Sequence, residues 1–166
     1  MSLDILRFPA TALQKTASAV QEQEISGELE DLIDRMQRIM TESKGVGLAA
    51  PQIGVLKRVI VFLRQSEATT LTSYMINPEL VYASPEFENS IEGCLSIPRV
   101  FVGVKRSKSI TVKYQQLDSS FVTENFSGDV ANIVQHEIDH LNGITLMNKL
   151  SKSERRKVLS DLARIK

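Results

Sequence analysis

His136 and His140 are the only histidines in the chain, and they stand four residues apart with Glu137 directly after the first. On a helix, residues four apart lie on one face, one turn above the other. Two neutral imidazoles held this way, with a carboxylate between them, form the H-E-x-x-H pattern. The imidazoles bind a divalent metal, and the carboxylate takes a proton from the water that the metal activates. The pattern also constrains the fold. Val130, Ile133, Val134, Ile138 and Leu141 make the segment apolar over much of its surface, so this helix is expected to be central and buried. Asp129 falls near its N-terminus, and Asn142-Gly143 stops it. The plain alternative is two histidines that share a spacing by chance.

A catalytic metal site takes three protein ligands and keeps one position for water. The chain has no third histidine, and Cys94 is its one cysteine, in the run Ile91-Glu-Gly-Cys-Leu-Ser-Ile-Pro98. Gly93 beside it permits close backbone approach. A lone cysteine is ordinarily a small buried hydrophobe. Here it competes for the third ligand position with the carboxylates of Glu92 and Asp139. A structural zinc site would need a fourth ligand, and no second cysteine is present.

The rest of the chain reads as mixed structure. Residues 1–25 are an irregular lead-in broken at Phe8-Pro9. Ser26 is placed to cap a helix whose apolar face is Leu29, Leu32, Ile33, Met36, Ile39 and Met40, ended by Lys44-Gly45. Gly45-Val-Gly-Leu-Ala-Ala-Pro-Gln-Ile-Gly54 reads equally as a tight connection or as the wall of a cleft with Gln52 aimed into it. It is no phosphate loop, because no Lys-Ser or Lys-Thr follows. Arg58 to Leu63 predicts a strand, and residues 64–73 a polar loop. Tyr74–Ile76 and Leu80–Tyr82 predict short strands around Asn77-Pro78, and residues 83–90 predict another loop. From residue 99 to 126 the alternation predicts antiparallel strands with a hairpin turn at Asp118-Ser119-Ser120. Ser151 or Ser153 caps a last helix with Leu159, Leu162 and Ile165 on its apolar face.

The expected class is α+β: mixed, mainly antiparallel sheets packed around the central helix, with one helix in the N-terminal half and another at the C-terminus. A length of 166 residues suits a single domain over 1–166. Zero net charge argues against a polyanionic partner such as DNA, although a local patch is compatible with it. From Lys149 onward seven Lys and Arg face two acids, a solvated face or a contact for an acidic surface such as ribosomal RNA. No basic start leads into an apolar core, and the longest apolar run, Val59 to Leu63, is far too short for a bilayer. With a single cysteine no internal disulfide forms. A cytoplasmic protein without membrane attachment is the expectation.

Three stretches, Gly45-Val-Gly-Leu-Ala-Ala-Pro-Gln52, Glu92-Gly-Cys-Leu-Ser96 and His136-Glu-Ile-Asp-His140, resemble in order and separation the signature motifs of the peptide deformylases. Asn77-Pro78 and the capped last helix are similar to the bacterial type with a helical C-terminus. The resemblance implies that Cys94, His136 and His140 bind one divalent metal, Fe2+, with Zn2+, Ni2+ or Co2+ as substitutes. It implies Glu137 as general acid/base, with Gln52 and the Leu95 N–H holding the formyl oxygen. Gly47 and Gly93 would line the substrate track, with Val46 and Ile133 beside the methionine pocket, where Asp129 and Asn132 add polarity. Its substrates would be N-formylmethionyl peptides of nascent chains, cleaved to release formate. Asp139 is expected to orient its neighbours, with Arg106 as partner. One departure is visible: many members carry arginine three residues after the proline of Ser96-Ile97-Pro98, and this chain has Phe101. Competing readings are a zinc peptidase or other amidase, and a non-catalytic metal-stabilised module.

Overall fold

The computed structural model describes residues 5–65 and 68–165. Along the chain run α1 (Gly27–Glu42), β1 (Gly47–Ala49), β2 (Val59–Gln65), β3 (Thr70–Ala83), β4 (Phe87–Cys94), β5 (Ile97–Ser107), β6 (Ser109–Gln115), β7 (Phe121–Ser127), α2 (Gly128–Leu141), the single turn α3 (Leu146–Lys149) and α4 (Lys152–Arg164). Five strands form one antiparallel sheet in the order β1-β2-β3-β6-β7, and β4 and β5 form a separate antiparallel hairpin. The α+β class expected from the sequence is the architecture found.

Strand β2 shows how the layers are built. Successive strand residues point to opposite faces. Val59 and Val61 pack with Leu29, Ile33, Met36, Ile39 and Met40 of α1. Ile60 and Phe62 pack with Ala131, Val134, Ile138 and Leu141 of α2. The sheet is therefore covered on both faces here, and β2 reads as an unbroken apolar run because neither face meets water. Each such side chain contributes roughly 1.5–3 kcal/mol by leaving water. A third cluster joins Ile97, Val100 and Val104 of β5 to Leu146, Met147, Leu150 and Val158 at the C-terminal end. There Ser151 caps α4: its Oγ accepts from the Glu154 N–H at 3.3 Å, and Glu154 Oε2 accepts from the Ser151 N–H at 2.8 Å.

Several boundaries differ from the sequence expectation. Residues 64–65 continue β2 and 70–73 begin β3, paired from Gln65↔Thr70 to Phe62↔Ser73, so most of the expected loop is a hairpin; residues 66–67 lie outside the described residues. Its Thr and Ser content marks an exposed strand. The two short strands about Asn77-Pro78 are one strand, β3, whose register shifts between Ile76 and Glu79 and again between Leu80 and Tyr82. Proline has no ladder donor, so it is accommodated at a bulge. Asn77 adopts φ +51° there, and its amide is tied to both backbone groups of Val20 and to Gln115. Residues 83–90 are only partly loop, because β4 begins at Phe87. Ser26 takes the position before α1, but its side chain makes no bond to the helix; its Oγ donates to the Glu24 carbonyl instead. Helix α1 ends with Lys44 in the left-handed region at φ +55°. Gly45 has a different constraint: a Cβ there would come 2.7 Å from Leu95 Cδ1. Among the described residues no helix is long and apolar enough to cross a membrane.

Candidate metal centre

Cys94 ends β4, and α2 carries His136 and His140. Cys94 Sγ and one ring nitrogen from each histidine lie within 4.8 Å of one another. Cys94 Sγ is 3.3 Å from His140 Nε2, and the two imidazole rings stand 5.0 Å apart at 70°. The carboxylates left open as third ligand have other partners. Glu92 receives Arg106 Nε at 2.8 Å and Nη2 at 2.9 Å, and its Oε2 lies 2.9 Å from His136 Nδ1. Asp139 Oδ2 receives Arg106 Nη1 at 2.6 Å and lies 3.2 Å from Lys149 Nζ.

The donor set fits a metal. One thiol and two imidazoles suit a first-row transition ion. Burial disfavours the charged form of His136, but hydrogen bonds with Cys94 and Glu92 and the charges of Glu137 and Cys94 outweigh burial and carry its pKa to about 10. Burial, reinforced by the charges of His136 and Arg106, holds His140 well below the usual range, leaving it neutral with a lone pair to give. Glu92 fixes the other side of His136. Burial pushes its carboxyl up, but hydrogen bonds from Arg106 and His136 bring it down to about 2, so it is a carboxylate. A carboxylate on Nδ1 leaves Nε2 as the coordinating atom.

Glu137 faces the same cleft. It is buried, its Oε2 has no hydrogen-bond partner among the described residues, and burial raises its pKa to about 7. Gly47 of β1 lies directly against it: a Cβ there would stand 2.3 Å from Glu137 Oε1. The buried amide of Gln52 is held at both ends. Its Oε1 accepts from the Ala49 N–H at 2.9 Å, and its Nε2 reaches Ser96 Oγ at 3.1 Å and Cys94 Sγ at 3.5 Å. Leu95 sits with Ser96 in the tight turn between β4 and β5, directly after the Cys94 donor.

The family model described as Polypeptide deformylase matches residues 2–156. The chain belongs to the peptide deformylase family. As a member of that family it is a metal-dependent hydrolase. It is 42% identical over 159 residues to the peptide deformylase of Wolbachia pipientis wMel, covering 90% of this chain and 88% of that protein. Among solved structures, the peptide deformylase of Thermotoga maritima matches with a TM-score of 0.80 at 39% identity, over 89% of this chain and 96% of that one. The Met-Ala-Ser-bound class I type b peptide deformylase of Acinetobacter baumannii matches with a TM-score of 0.83 at 37% identity, over 88% and 96%.

One cavity of about 690 Å³ collects most of the residues singled out from the deformylase motifs: Val46, Gly47, Gln52, Gly93, Cys94, Leu95, Ile133, His136 and Glu137. Asp129 and Asn132 also line it. Arg106 and Asp139 do not; they lie behind His136, joined to it through Glu92. Four polar contacts tie the hairpin to α2: Glu88–Asn132 at 2.7 Å, Glu92–His136 at 2.9 Å, Arg106–Asp139 at 2.6 Å, and Gln135 with both backbone groups of Ser107 at 3.0 and 3.1 Å. Sequence reasoning kept Glu92 only as a ligand candidate and missed Glu88, Ser96 and Gln135. A signal existed. Asn132, Gln135, His136 and Asp139 fall at i, i+3, i+4 and i+7, a polar stripe on an otherwise apolar helix.

Proposed function

We propose that the chain, as one metallohydrolase domain over residues 1–166, removes the N-formyl group from the formylmethionine of nascent polypeptides and releases formate. The observation that carries this is the Cys94–His136–His140 cluster, of which Cys94 and His136 line a cleft shared with Glu137 and Gln52. Cys94, His136 and His140 would hold the ion, Fe2+ by preference with Zn2+, Ni2+ or Co2+ as substitutes. When bound, the metal acts as a Lewis acid that acidifies the attacking water and draws charge from the formyl oxygen. Glu137 accepts the proton of that water and returns it to the departing amine nitrogen; a carboxyl raised toward neutrality by burial suits both directions of transfer. The Gln52 amide and the Leu95 N–H donate to the oxygen as negative charge develops there. Each such donor is worth about 3 kcal/mol of barrier. Ser96 and Ala49 fix the Gln52 amide in place beforehand, so little reorganisation is needed. Val46 and Ile133 offer apolar surface to the methionine side chain, and the backbones of Gly47 and Gly93 flank the peptide.

The contact between Gly47 and Glu137 favours a one-carbon acyl group over a larger one. Formyl-Met-Ala-Ser should release formate at least about 100-fold more efficiently than acetyl-Met-Ala-Ser releases acetate. Equal rates would favour a general amidase. The Acinetobacter relative solved with Met-Ala-Ser carries the peptide that such a reaction leaves behind.

Action on nascent chains goes with a cytoplasmic location and with the basic outer face of α4. Lys152, Arg155, Arg156 and Lys157 are exposed there, while Val158 is buried against the hairpin cluster. This face suits ribosomal RNA. Co-sedimentation with ribosomes should weaken as salt rises, and Arg156→Glu with Lys157→Glu should abolish it. Sedimentation unaffected by either change would rule the contact out.

A further inference from the structure

Beside the catalytic cleft the surface is apolar where a soluble hairpin would ordinarily be polar. Phe101 is 74% exposed, Ile91 71% and Val46 53%, and all three line the cavity that Cys94 and His136 also line. The hairpin register pairs Gly93 with Phe101 and Ile91 with Gly103. Directly paired residues share a face, so Ile91, Gly93, Phe101 and Gly103 present one outward surface. Two of the four are glycines, and the Asn89 amide lies against Gly103, so Phe101 and Ile91 are the apolar side chains of these two paired positions. The Phe101 ring leans across Gly93, where a Cβ would come 2.8 Å from Cε1.

No charged side chain of this face explains the pair. Lys44, Arg99 and Asp129 border the same cavity, but Phe101 and Ile91 turn only carbon toward it. Their place in the path of a peptide follows from spacing. Gly93 and Ile91 lie two and four residues before Leu95 on the strand, and an extended chain advances about 3.3 Å per residue. A peptide whose formyl oxygen sits at the Leu95 N–H and which runs along β4 brings the residue after the formylmethionine level with Gly93 and Phe101, and the third residue after it level with Ile91; side chains two apart share a face.

We propose that Phe101 and Ile91 form an apolar rim that selects apolar or aromatic side chains in the first and third residues following the formylmethionine. This rests on the deformylase reading above and adds the substrate class. The rim contacts atoms remote from the reacting amide, so its effect falls on KM with kcat little changed.

The test compares formyl-Met-Phe-Ala-Leu with formyl-Met-Ser-Ala-Ser. The native protein should favour the first by about tenfold in kcat/KM. The ratio should fall to within about twofold of unity in Phe101→Arg and in Ile91→Ser, both exposed positions whose thermal unfolding reports that the fold is kept. Calorimetric binding of the products Met-Phe-Ala-Leu and Met-Ser-Ala-Ser should show the same order without any turnover. Formate from both peptides with equal kcat/KM, or a preference that survives in both variants, overturns the rim alone. No formate from either peptide overturns the deformylase reading and the rim with it.

Discussion

Glu137→Ala lowers formate release from formyl-Met-Ala-Ser by about 10²–10⁴-fold while the protein still binds one equivalent of metal: this is the expected result if Glu137 carries the proton. Glu137 is not among the three donors, so the metal content measured on the purified variant should match the native protein. Glu137→Gln should fail almost as badly. An amide fills the same space against Gly47 but has no basic oxygen to accept a proton. The effect belongs in kcat, because the carboxylate does its work as the water attacks and as the amine leaves. Full turnover in a metal-loaded variant would remove Glu137 from the chemistry. Loss of metal together with activity would make its role structural.

Arg106→Ala should cost roughly 3–5 kcal/mol of stability. Arg106 is 4% exposed and holds Glu92 with two nitrogens and Asp139 with a third. Its loss leaves Glu92 buried with only His136, and Asp139 with only Lys149. The consequence reaches the metal. Glu92 orients His136, so metal affinity should fall by about 10–100-fold. Arg106→Lys should recover part of the stability, since the charge returns without the paired geometry on Glu92. Denaturant midpoints and chelator competition measure the two effects separately. A stable variant of unchanged metal affinity would show that the Arg106 network contributes to neither.

What was legible in the sequence follows from which patterns face the core simply. Helix α1 buries apolar residues at a period of 3.6 and strand β2 is a continuous apolar run buried on both faces, and both are legible at nearly their true extents. Strand β4 is absent from the sequence expectation because its alternation is inverted. Phe87 and Ile91 face outward, while Glu88 and Glu92 turn inward to bind Asn132, Arg106 and His136. A rule that places polar residues outside reads such a segment as loop. Strand β3 was cut in two because Asn77-Pro78 looks like punctuation, and the tertiary bonds of the Asn77 amide to Val20 and Gln115 are not written in the local pattern. The Cys94, His136 and His140 cluster is legible because histidine and cysteine are so scarce here. Its surroundings are not, since Ser96, Glu88 and Gln135 are common residue types whose roles depend on which strand lies across from which helix.

The polar stripe on α2 has a consequence for precision. Apolar packing is forgiving of direction: a helix slid by a residue along a greasy surface still covers much of it. The four side chains that lock α2 to the hairpin are not forgiving. Their bonds to the hairpin are 2.6 to 3.1 Å long, and a slip of one residue would break all of them at once, leaving the buried Asn132 and His136 unanswered. They act as the wards of a lock, admitting one setting. The thiol comes from one side of that lock and both imidazoles from the other, so the angle at which the three donors meet is set by hydrogen bonds, and the hydrophobic core supplies the force that keeps the lock shut.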